Sequence, residues 1–212
     1  MRLGRVAGVV LVISAVLVGE WLWLDAGRPG PAGGDMPRIT AQAAAPGGAF
    51  SLVDHLSRPV TDRSFRGSYV VMVFGYTACP DVCPTTLNTV AAAMDFLGSK
   101  ARAVQPVFVT VDPERDTPAV LAAYVSAFHP RLLGLTGSPA QIRQITRDYR
   151  VYVAKGDAGH GSDPIDHSAY VYVLGPDGRM LTYLKHDATP QAMAKAIGLL
   201  TTQQTSGDGL WN

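Results

Sequence analysis

Apolar positions along this chain fall into three kinds of run, and each kind predicts a different element. The longest is unbroken: Val6 to Leu24 is almost wholly apolar, interrupted by Ser14 and Glu20. As a helix its roughly 19 residues, at about 1.5 Å each, span roughly 28 Å, close to the hydrocarbon thickness of a bilayer. Arg2 and Arg5 precede it, and Trp21 and Trp23 mark its exit. Glu20 is near enough to that end to reach water. Residues 1–24 therefore read as a membrane anchor with a cytoplasmic N-terminus. A cleaved signal peptide is the competing reading, but a signal core is usually shorter and no small-residue cleavage site follows directly.

Shorter unbroken runs predict buried strands at Tyr69–Tyr76, Pro106–Val111, Leu132–Leu135, Ala169–Leu174 and Met180–Leu184. Val151–Val153 is a further candidate strand, and Phe50–Val60 predicts a small hairpin around Asp54-His55. The third kind of run repeats at helical spacing: Leu87, Val90, Ala91, Met94 and Leu97; then Val120, Leu121, Tyr124, Val125 and Phe128; then Ile142, Ile145 and Tyr149; finally Met193, Ile197 and Leu200. Start signals agree. Thr117 reads as an N-cap before Pro118, and Ser138-Pro139-Ala140-Gln141 as a capping box. Pro84 suits a first helical position and pushes Cys83 towards the cap.

Between these runs, residues 25–49 are rich in Gly, Pro and Ala and read as a flexible tether. Residues 156–166 read as a polar loop, Gly175-Pro176-Asp177-Gly178 as a hairpin turn, and residues 201–212 as a loose tail. Residues 50–200 then form one α/β domain. Its order is βαβ, an inserted helix, then ββα, the thioredoxin-like plan behind an N-terminal transmembrane helix. The βαβ strands should be parallel with a right-handed crossover.

The net charge of +1 over 212 residues implies no large basic surface for nucleic acid. Only two cysteines are present, Cys79 and Cys83. Such a pair is a redox couple, a metal site, or both. It sits at a strand-to-helix turn, at the strand end where open α/β sheets place their sites. A helix N-terminus favours thiolates there, and the C-x-x-x-C spacing leaves room for a soft ion, Cu(I) or Zn. A third ligand is wanted, and histidine is the natural one. His167 precedes the strand expected to neighbour the cysteine strand. His160 lies on the polar loop and His129 at a helix end, while His55 and His186 read as turn and surface residues. Phe74 and Tyr76 read as core and Asp81 as solvent-facing. Asp112, Glu114 and Asp116 read as a strand-to-helix loop with a capped start and an Arg115 ion pair, in preference to a hard-cation cluster.

Four blocks then stand in order: Phe74-Gly75-Tyr76-Thr77-Ala78-Cys79-Pro80-Asp81-Val82-Cys83-Pro84; Val109-Thr110-Val111-Asp112-Pro113-Glu114-Arg115-Asp116-Thr117; Leu133-Gly134-Leu135-Thr136-Gly137; and Asp166-His167-Ser168 followed by Gly175-Pro176-Asp177-Gly178. In these blocks the chain resembles the Sco/SenC family of copper chaperones for cytochrome c oxidase. The resemblance implies Cys79, Cys83 and His167 as copper ligands, for Cu(I) and in many members Cu(II). It also implies a Cys79–Cys83 disulfide form that cannot bind copper. Ala78 departs from the polar or histidine residue of many members, which is expected to tune the site. The implied role is not enzymatic: copper passes from a donor protein to the dinuclear site of cytochrome c oxidase subunit II. The protein would be anchored once in the inner membrane with its domain in the periplasm. The alternative is a thiol–disulfide reductase in which Cys79 and Cys83 reduce the cysteines of that same site. A peroxide-reducing enzyme of this fold would need an arginine beside its cysteine, and none lies near Cys79 in sequence.

Overall fold

Every position of Tyr69–Gly75 is buried, the mark of a strand covered on both faces. Tyr69, Val71 and Val73 enter one apolar cluster with Leu87, Val90, Leu121 and Met193. The alternate positions Val70, Met72 and Phe74 enter a second with Val109, Ile142, Tyr149 and Tyr172. A sheet therefore runs through the middle, with a core on each side.

The computed structural model describes residues 46–155, 165–167 and 169–205, the backbone alone for 155, 166–167 and 203–205. The chain divides into two units, residues 1–44 and 45–212. The expected membrane span lies outside the described residues, and among those that are described no helix is long and apolar enough to cross a membrane.

In chain order the strands are β1 (Ser51–Asp54), β2 (Pro59–Thr61), β3 (Tyr69–Gly75), β4 (Val104–Thr110), β5 (Leu133–Thr136), β6 (Val153–Lys155), β7 (Ile165–His167), β8 (Tyr170–Leu174) and β9 (Met180–Lys185). The α-helices are α1 (Val82–Leu97), α2 (Pro118–Ser126), α3 (Pro139–Asp148) and α4 (Pro190–Thr205). The main sheet has the order β2-β1-β5-β4-β3-β8-β9, and β6 and β7 form a separate pair. Strands β3, β4 and β5 are parallel, with β8 antiparallel to β3 and β9 antiparallel to β8. This is the expected mixed α/β, thioredoxin-like order. The β1–β2 hairpin extends the sheet, because β1 pairs antiparallel with β5.

Three elements differ from the pattern reading. Helix α1 starts at Val82, so Pro84 is its third residue and Cys83 lies inside the first turn. First-turn N–H groups have no partner four residues back, so proline is tolerated throughout that turn. Helix α4 continues through Thr205, past the Leu200 at which its apolar repeat ends. Ile165 and Asp166, read as loop, are in β7, paired with Lys155 and Ala154. A three-residue strand is too short to show a period in sequence.

Candidate metal centre

The site begins where β3 runs out. At its last residue, Gly75, a Cβ would stand 2.6 Å from the Cys83 Sγ and 2.9 Å from Phe108 Cε2. The missing side chain lets the sulfur pack against the strand end. The chain then turns through Thr77–Asp81 and enters α1. Cys79 is half-buried and Cys83 is 1% exposed. The Cys83 N–H donates to Cys79 Sγ at 3.4 Å. The N–H groups opening a helix lack intrahelical partners, and here one sulfur satisfies the N–H of the other cysteine. Both thiols are unbridged. Asp81 is exposed, as expected.

The two sulfurs occupy different environments. Burial pushes the Cys83 thiol well above its usual range, opposed by the Tyr76 N–H and reinforced by Cys79 and Asp116. The thiolate-favouring effect expected of the helix terminus is thus overridden at Cys83 by desolvation. Cys79, nearer to solvent, is the accessible member of the pair.

Two residues read from the sequence only as loop and as core hold this turn. Asp116, 1% exposed, accepts from the Thr77 N–H at 3.0 Å, from Thr77 Oγ1 at 2.5 Å and from Thr110 Oγ1 at 2.5 Å. Asp112 pairs with Arg115 as expected, and Thr117 Oγ1 caps α2 by accepting from the Val120 N–H at 3.4 Å. The acidic loop is therefore the capped, ion-paired connection that was read, but its last carboxylate also fastens the cysteine turn. The second residue is Tyr76. It is buried, and its hydroxyl oxygen accepts from the Ile165 N–H at 3.2 Å. Burial raises its phenol, the Ile165 bond lowers it, and both cysteines raise it further. Tyr76 thus stands between the sulfurs and β7. The signal for Asp116 was its place in a buried-strand-to-helix loop; for the Tyr76 contact there was none.

Strand directions sort the histidines. Cys79 and Cys83 lie at the C-terminal edge of β3. His129 precedes β5, parallel to β3 through β4, and so lies at the opposite edge; its Nδ1 accepts from the Arg131 N–H at 3.1 Å. His55 follows β1 and accepts from the Gly134 N–H at 3.2 Å, also at that far edge. His186 follows the marginal strand β9, two strands from β3. His167 closes β7, opposite Val153, three residues before β8, the direct neighbour of β3. Its backbone is two residues from the N–H held by Tyr76. His160 lies outside the described residues. A soft cation suits the two sulfurs held in one turn.

The SCO1-SenC family profile, described as SCO1/SenC, matches residues 39–202. The chain is 41% identical over 192 residues to the protein SCO2 homolog, mitochondrial, of Bos taurus, covering 89% of this chain and 72% of that one. ScoI of Bradyrhizobium japonicum with copper bound aligns at TM-score 0.68 and 41% identity, over 72% of this chain and 98% of that one. ScoI of Arabidopsis thaliana with copper bound aligns at TM-score 0.70 and 36% identity, over 76% and 99%.

Proposed function

The chain belongs to the SCO1/SenC family, and from that premise we propose that it binds copper through Cys79, Cys83 and His167 and delivers it to the dinuclear copper site of cytochrome c oxidase subunit II. It does so as a copper-binding protein of oxidase assembly, held to the inner membrane by residues 1–24 with its domain on the periplasmic side. The observation that carries the reading is the cysteine turn: one sulfur half-exposed, the other buried, bonded through the Cys83 N–H, next to the strand that leads to His167. Two relatives of known structure hold copper.

The residues divide the work. Cys83 is buried against the end of β3 at Gly75 and gives the site its enclosed sulfur. Cys79 is the half-exposed sulfur, which an acceptor's thiolate can approach before the old ligands leave. Copper, as cargo, supplies soft-ion affinity for sulfur; loading displaces a proton from each thiol, so uptake weakens at low pH. Tyr76 and Asp116 hold the loop while ligands exchange.

The unequal exposure also favours a second reading, dithiol exchange. Cys79 as thiolate attacks a partner disulfide and forms a mixed disulfide, expelling one partner thiolate. Cys83 then attacks the Cys79 sulfur, releasing the second thiol and leaving Cys79–Cys83 oxidised and the partner reduced. The raised Cys83 thiol opposes that second step. His167→Ala separates the readings. Copper content of the reduced protein should fall from one per chain to a small fraction, with disulfide exchange retained. Equal copper in variant and parent sinks the ligand set; a copper-free parent with full exchange activity leaves only the reductase.

A further inference from the structure

A groove of about 420 Å³ lies between α3 and the loop that follows β4. Its floor is apolar, made by Val111, Ile142, Val151 and Val153, and Arg143 and Arg147 stand one turn apart on its α3 rim. Both arginines are exposed, and neither ion-pairs with a carboxylate among the described residues; Arg147 donates to Gln144 Oε1 at 2.7 Å. Glu114 also lines the groove, so its described lining carries two cations and one anion.

Two backbone links join the groove's lining to the candidate copper site. The Val111 N–H donates to the Gly75 carbonyl at 2.7 Å, immediately before the cysteine turn, and Val153 pairs with His167. A small-anion pocket would need polar groups converging on its floor. Here the Thr146 hydroxyl already donates to the carbonyls of Ile142, at 2.9 Å, and Arg143, at 3.2 Å. An apolar floor with cations at the rim fits a polypeptide better.

Resting on the delivery reading above, we propose that this groove docks the copper-accepting protein. It takes a segment that seats an apolar side chain on Val111, Ile142 and Val153 and places a carboxylate between Arg143 and Arg147. The rim charges steer and register the acceptor, and the backbone links from Val111 and Val153 keep it next to the site that holds Cys79.

The test titrates the full chain in detergent with the soluble copper domain of oxidase subunit II, with the chain both copper-loaded and copper-free. Arg143→Glu/Arg147→Glu should weaken the complex about tenfold or more at low ionic strength, the gap narrowing as salt is added. Arg143→Lys/Arg147→Lys keeps the charge and should restore most of the binding, which a purely structural role would not predict. Unchanged binding by the charge-reversed chain, or no complex with the parent, overturns the groove. Copper content, measured on the same samples, judges the delivery reading separately: charge reversal should leave it unaltered, because neither arginine belongs to the copper site.

Discussion

Tyr76 belongs to the core by its ring and to the candidate site by its oxygen. Its ring was legible, since it ends an apolar run. Its hydroxyl was not, because the partner N–H lies 89 residues away and nothing in local spacing announces a contact at that separation. Asp116 reaches Thr77 across 39 residues, and its place in the loop after a buried strand was its only signal. Cys79 and Cys83 were legible for the opposite reason: two soft side chains within five positions need no tertiary information to meet. Tyr76→Phe keeps the ring and leaves the Ile165 N–H buried without its acceptor, at a cost of about 1–3 kcal/mol. We expect a lower urea midpoint and weaker copper retention, with disulfide exchange by Cys79 and Cys83 preserved. A variant that holds copper as the parent does would show that this hydroxyl does not position β7.

At the scale of elements, helical faces and caps were read well because each is a local rule. Ser138 accepts from the Gln141 N–H at 3.3 Å while the Gln141 side chain accepts from the Ser138 N–H at 2.8 Å, the capping box in full. The start of α1 was misplaced by the weight given to Pro84. The β1–β2 hairpin carries its own device. Asp54 is 1% exposed and accepts from the N–H groups of Leu56 and Arg58, each at 2.9 Å, and from Arg58 Nε at 2.7 Å. Burial alone would raise its carboxyl, but the Arg58 N–H, the guanidinium and the Leu56 N–H outweigh it and hold it below the ordinary range. A carboxyl lowered on folding stabilises above its unfolded value, about 3.9, and that contribution is lost as pH falls through the folded value. Asp54→Asn should therefore be less stable than the parent at pH 7. The two urea midpoints should converge as pH falls through the folded value, below the ordinary carboxylate range, where the Asp54 carboxyl becomes neutral. Parallel acid limbs would contradict the assignment.

At the scale of the molecule, the βαβ and ββα halves were legible because continuous apolar strands, alternating with capped helices, leave few topologies open. Strand order across the whole sheet was not. That β1 attaches beside β5, and that β6 and β7 stand apart as a pair, depends on side-chain fit between distant segments. The consequence for the site is that everything bearing on it gathers at one edge: the end of β3, the loop after β4 and the approach to β8.

The unequal depth of the two sulfurs also makes the native protein a selective tag. A bulky maleimide should stop at one adduct per chain, on Cys79, since Cys83 is 1% exposed. The second adduct should appear only as fast as the fold opens, so intact-mass spectrometry of a labelling time course would clock global unfolding without an added dye. Two adducts at equal rates would mean that the inner sulfur is reached by a far smaller breathing motion.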